Sequence, residues 1–175
     1  MSIGLGDDVV VLRQWRLDDA DWYAETAAHD PLIQRFTSES PALTADVVRS
    51  AIVALLAGTG NTAGFLIADA NTGERLGNIA LVYENRVGDV SYWLASHARG
   101  RGVATRALRA LSDWAVPTFG LTELRLWTHV DNHASRSVAE RAGYQRAPDL
   151  DRDREVKGQT WRTVGYVRDS DMSGS

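Results

Sequence analysis

The sequence predicts a single α+β domain, a sheet covered by helices, and three observations carry that prediction. A chain of 175 residues with 44% hydrophobic composition can bury one sizeable core, and its length is that of one domain. Two strand-like runs, residues 65–68 and 76–82, flank Asn71-Thr72-Gly73, the chemistry of a hairpin turn and so of antiparallel pairing. Farther on, residues 90–144 read in order as strand, glycine-rich loop, long amphipathic helix, strand, short capped helix and a Gly-Tyr stop.

The elements follow from local pattern. Residues 9–12 read as a first strand, and Asp18 with Asp21 as the cap and acidic first turn of a helix reaching about Ala28. Thr44 caps a second helix whose stripe is Val47, Val48, Ala51, Ile52, Leu55 and Leu56, stopped by Gly58. Beyond the hairpin, Val90 to Leu94 reads as a strand. From Ala104 the apolar positions Ala107, Leu108, Leu111, Trp114 and Ala115 recur at helical spacing, with Arg106, Arg109 and Asp113 on the other side and Pro117 expected to close the helix. Residues 124–130 alternate as a strand. Asn132 caps the next helix, striped by Ala134, Val138 and Ala142 and ended by Gly143, and residues 161–167 form a last strand. No repeat or linker interrupts residues 1–175, and residues 169–175 read as a frayed polar tail.

Composition excludes several classes. No run of about 18 apolar residues is present and the N-terminus lacks a basic stretch followed by an apolar one, so neither a membrane span nor a signal peptide is expected and the location expected is cytoplasmic. The absence of cysteine removes disulfides, thiolate metal sites and a cysteine acyl-enzyme. A net charge of −4 argues against a nucleic-acid partner. His129 and His133 have i, i+4 spacing, but the interval runs from a strand into a loop, so no metal site is expected.

The chemistry concentrates in Arg99-Gly100-Arg101-Gly102-Val103-Ala104-Thr105. Two glycines allow close backbone approach, the first amides of the following helix lack intrahelical acceptors, and the helix dipole with Arg99 and Arg101 favours an anion such as a pyrophosphate. It is not a Walker loop, because the only lysine is Lys157, nor a dinucleotide fingerprint, because Thr105 stands at the third glycine site. What remains is [Q/R]-x-x-G-x-[G/A], read as Arg99, Gly102 and Ala104. In that wording, and in the order of elements from Val90 to Tyr144, the chain resembles the GNAT N-acetyltransferases. The segments at residues 10–21 and 30–36 bring it nearest the RimJ/RimL subgroup, which acetylates ribosomal-protein N-termini.

The resemblance implies a three-layer α/β/α fold: a central mixed, mostly antiparallel sheet with helices on both faces, splayed to admit the pantetheine arm of acetyl-CoA. It assigns the cofactor loop to residues 99–105, and polarisation of the acetyl carbonyl to backbone amides near Trp93 and Leu94 on a bulged strand. Asn132 would contact the pantetheine. The family's usual tyrosine, seven residues after the asparagine, is Ala139 here; the subgroup's serine at Asn-x-x-Ser, Ser135, would protonate the departing thiolate. Glu155 would take the amine's proton, with Asp89 as the rival base, although the subgroup's usual aspartate is replaced by Thr163. Trp15, Trp22 and Trp161 lie in segments bordering the acceptor cleft in related folds. The implied partners are acetyl-CoA and an amine, a peptide N-terminus before a small molecule, with room for a homodimer. The alternative is an acyl-CoA-binding domain that has lost turnover.

Overall fold

The structure, a computed structural model, describes residues 5–172. Its strands are β1 (Leu5–Gly6), β2 (Val10–Arg13), β3 (Thr62–Asp69), β4 (Arg75–Glu84), β5 (Val87–Leu94), β6 (Glu123–His129), β7 (Gln145–Arg146), β8 (Arg152–Val156) and β9 (Gln159–Asp169). They form one sheet in the order β1-β2-β3-β4-β5-β6-β9-β7, with β8 also paired to β9. Every pairing is antiparallel except that of β5 with β6. A parallel neighbour needs a long crossover, and here α4 (Val103–Phe119) supplies it.

Helices cover both faces. Against one lie α4 and α5 (His133–Arg141), burying Ile67, Ile79, Leu81, Leu108, Leu111, Leu124 and Tyr166 in the larger core. Against the other lie α1 (Ala20–His29), α2 (Pro31–Phe36) and α3 (Ala45–Ala57), with Trp15, Ala24, Ile52, Leu66 and Ala68 in the smaller core. The pleat explains the division: along β3, Ile67 enters one core while its neighbours Leu66 and Ala68 enter the other. No described helix is long and apolar enough to cross a membrane.

Local signals are corrected in several places. Pro117 lies inside α4 rather than ending it; proline removes a single helical donor, and the stop is Gly120 in the left-handed conformation (φ 61°). The residue capping α1 is Asp19, not Asp18, and its carboxylate makes no cap: it is fully buried and bound by Arg13 and Arg75. On α3 only Val48 and Ile52 are buried, while Val47 and Leu56 face outward. The charged run around residues 152–156 is a strand, β8, hairpinned onto β9 through Lys157 (φ 50°) and Gly158 (φ 75°). Asp169 belongs to β9 and residues 170–172 form a single 3-10 turn; the rest of the tail expected to fray lies outside the described residues.

Candidate active site

A slot opens between β5 and β6. β5 pairs with β4 from Val87 to Leu94 without interruption, but with β6 only from Val87 to Val90, after which the two strands part. The opening is the splay expected near Trp93 and Leu94, a divergence of the parallel pair; the bulge expected with it is absent from β5, and the sheet's register shift lies instead in the β3–β4 pairing between Ile67 and Ala68. The Ala95 amide donates to the Leu76 carbonyl at 2.8 Å, and strand alternation then turns the Trp93 amide toward β4 and those of Tyr92 and Leu94 toward the slot. Of the two amides expected to face an acyl carbonyl, the geometry favours Leu94.

A cavity of about 970 Å³ runs through the slot, reaching Gly100 and Gly102 at one end and Glu39 and Trp161 at the other. Gly100 (φ 72°) and Gly102 (φ 73°) both adopt the left-handed conformation, and a Cβ at either would meet open space. Gly102 is the N-cap of α4 and offers no side chain to its amides, so those of Val103, Ala104 and Thr105 stay open toward the cavity that Gly102, Val103, Ala104 and Thr105 line. Such a cradle fits a pyrophosphate. The expected contribution of arginine is smaller than the sequence implies. Arg99 Nη2 donates to Asp30 Oδ1 at 2.7 Å and to the Leu94 carbonyl at 2.8 Å, tying the loop to the N-terminus of α2. Burial opposes ionisation of Asp30, but Arg99 and the amides of Ile33 and Leu32 prevail and hold its carboxyl below the usual range. Arg101 is more exposed, with Nη2 3.9 Å from Asp69 Oδ2.

The α5 side of the slot carries the expected pair. Asn132 Oδ1 accepts from the Ser135 amide at 3.1 Å, so the asparagine is the helix cap that its position suggests, and it also lines the cavity. Ser135 Oγ lies 3.0 Å from the Tyr92 hydroxyl of β5 across the slot. Burial pushes the Tyr92 hydroxyl up to about 12, the Ser135 contact pulling the other way, so it keeps its proton at neutral pH. Sequence reading missed Tyr92 because the pairing joins residues 43 positions apart.

The expected bases are not in the cavity. Along β8 the side chains of Arg154 and Val156 line it, so Glu155 between them faces away and pairs with Thr160, whose hydroxyl it accepts. Asp89 lies on β5 before the strands part, beside Arg125 of β6; partial desolvation of its carboxyl pushes it up against the pull of Arg125, Arg152 and Arg154. Among the described residues, the carboxylates that do line the cavity are Glu39 and Asp131. Of the three tryptophans, Trp161 lines it; Trp15 is buried in the smaller core and Trp22 packs against Trp93, ring centroids 5.8 Å apart and tilted by 34°. His129 packs between Phe36 and Trp161, each 5.5 Å away, and its Nδ1 accepts the Asp131 amide.

The model of the GNAT acetyltransferase domain family matches residues 10–145, and the chain belongs to that family. Among individual relatives, YdaF of Bacillus subtilis (strain 168), provisionally named a ribosomal N-acetyltransferase, is 35% identical over 60 residues, a stretch spanning 34% of this chain and 33% of YdaF. The fold is also that of RimL, a ribosomal L7/L12 α-N-protein acetyltransferase solved with coenzyme A (TM-score 0.82, 18% identity, 98% of this chain and 99% of that one). Mycobacterium smegmatis RimJ, solved with a CoA disulfide, superposes with a TM-score of 0.78 at 22% identity over 93% of this chain and 82% of its own.

Proposed function

We propose that this protein is an acetyl-CoA-dependent N-acetyltransferase that moves an acetyl group directly to a primary amine, with a protein N-terminus as the leading acceptor and a small-molecule amine second. The observation that carries the reading is the slot between β5 and β6, entered beside the open amides of α4 and walled by Ser135. In this reading residues 99–105 hold the pyrophosphate through backbone amides, the Leu94 amide polarises the thioester carbonyl, and Ser135 gives the sulfur its proton. The protein N-terminus is favoured because YdaF is provisionally named a ribosomal N-acetyltransferase and RimL, of the same fold, a ribosomal L7/L12 α-N-protein acetyltransferase. A cytoplasmic site of action follows from such an acceptor.

The test needs only purified protein. Acetyl-CoA at about a hundredfold excess over its Kd stabilises the folded state by about 2.7 kcal/mol. At roughly 2–4 °C per kcal/mol for a domain of this size, Tm should rise by about 5–10 °C, with a smaller rise for NAD or ATP. Gly102→Asp should abolish the shift while the protein stays folded, since aspartate tolerates positive φ better than most residues and nothing lies within 4 Å of its Cβ. Free-thiol release with amine peptides then separates a transferase from a silent binding domain: a full thermal shift without turnover would favour the latter.

A further inference from the structure

The slot joins the two faces of the sheet, and the groups that serve the sulfur lie on one of them only. Tyr92 and Ser135 stand on the α4/α5 face, whereas the next residue of β5, Trp93, turns its indole to the opposite face, among Ala27 of α1 and Ile33 of α2. An amine attacking a thioester held by α4 and α5 must come from that opposite face. There the connection between α2 and α3 brings Glu39 into the cavity lining.

Glu39 is held in an unusual way. Its Oε1 accepts both the Tyr23 hydroxyl of α1 and the Trp93 indole Nε1, the latter at 3.3 Å, while Oε2 has no partner among the described residues. Tryptophan can only donate, and burial together with Glu39 itself pushes the Tyr23 hydroxyl upward, so it too remains a donor. Oε1 is thereby occupied and Oε2 is left to accept from something else. The other cavity carboxylate, Asp131, is well exposed and lies 3.9 Å from His129. The titratable and charged groups around the Glu39 end of the cavity are Tyr23 of α1, Arg35 of α2, His129 of β6, Arg154 of β8 and Lys157 of the β8–β9 turn. The Lys157 ammonium is engaged by the Gln34 carbonyl at 2.8 Å, and burial draws its pKa down.

Building on the acetyltransferase reading above, we propose that Glu39 is the acceptor-side catalytic residue, whose free carboxylate oxygen receives the acceptor's ammonium group and takes its proton. Transfer of one ammonium proton to Glu39 frees the nitrogen lone pair, which forms the N–C bond as the C–S bond breaks. The sulfur leaves as a thiol with the proton of Ser135, and a second nitrogen proton restores Ser135 through water. Glu39 passes its own proton to solvent, so an ammonium ion and a thioester become an amide, a thiol and one released proton.

The test is Glu39→Gln, which keeps an oxygen for Tyr23 and Trp93 and so preserves the local fold, assayed by thiol release with hexapeptides bearing free N-termini and with spermidine. At pH 7 kcat/KM should fall by about 100-fold or more, while the acetyl-CoA thermal shift stays at the wild-type value. The deficit should shrink as pH rises toward 9.5, where the acceptor loses its proton unaided; Glu39→Asp should restore part of the activity, and Glu155→Gln should leave it near wild type. A merely structural role would give no such pH rescue. Wild-type turnover with a Glu39→Gln variant within twofold of it would overturn this inference alone, whereas wild-type protein that acetylates none of these amines would overturn the acetyltransferase reading together with it.

Discussion

Ser135 and Tyr92 meet across the slot at 3.0 Å, and the pair has a defined proton inventory. A tyrosine pushed up to about 12 cannot act as a base at neutral pH; it can hold the serine hydroxyl or donate to it. Ser135→Ala should therefore lower kcat about 100-fold at saturating substrates, with little change in acetyl-CoA affinity. Stopped assays of thiol release beside a binding measurement check this, and a kcat within twofold of wild type would remove the serine from proton transfer. At this scale the sequence was legible where a residue's position depends on local spacing. Gly102, Asn132 and Ser135 are read from the turns they occupy, and each stands in the cavity lining. Glu39 and Tyr92 were illegible because tertiary contacts bring them to the slot, and Glu155 was misplaced because the strand that turns it outward was itself unread.

Between elements, the most consequential contact is Asp19. Its buried carboxylate takes two hydrogen bonds from Arg13, at 2.8 and 2.9 Å, one from Arg75 at 2.7 Å and one from the Arg16 amide at 2.8 Å, joining β2, β4 and the start of α1. Burial alone would raise its pKa, but these partners outweigh burial and lower it to about 2. Because the folded-state value lies below the unfolded one, the stabilisation is complete above about pH 4 and is lost as pH falls toward 2. By linkage it amounts to about 2 kcal/mol. Asp19→Asn should cost stability at pH 7, by about 3 kcal/mol once the arginines lose their partner, and should flatten the acid limb of a denaturation curve measured between pH 5 and 2. A variant as acid-sensitive as wild type would assign that limb to other carboxylates. Most elements were legible because period and caps agree, as in α3 and α5, where Thr44 and Asn132 accept the expected amides. The missed strand β8 has a plain cause: it is held by pairing with β9 rather than by an apolar alternation, since four of its five residues are exposed and charged.

For the whole molecule, the order of strands decides where chemistry can occur. Among the described residues seven of the eight pairings are antiparallel and can be made by neighbours in sequence or by returning segments; of these pairings only that of β5 with β6 needs the α4 crossover, and the sheet opens there. The hairpin of β3 with β4 was readable from its turn, whereas the parting of β5 from its neighbour near Trp93 and Leu94 was expected only through the family resemblance, because no local pattern in the strand marks where it loses a partner.

That divergence makes the centre of the sheet an interrupted ladder, and this has a consequence for solvent exchange. Central strands normally hold the slowest-exchanging amides of a domain, yet the Leu94 amide faces the gap instead of a neighbouring carbonyl. In the free protein its deuterium uptake should resemble that of a loop, while the Leu66 and Leu81 amides on continuous strands stay protected. A ligand with amides of its own that enters the gap can act as the missing strand. Saturating acetyl-CoA should then slow exchange at Leu94 by up to about 100-fold, the factor that corresponds to a hundredfold excess over Kd. Residue-resolved exchange that shows Leu94 already protected without ligand would mean that the gap is closed in solution.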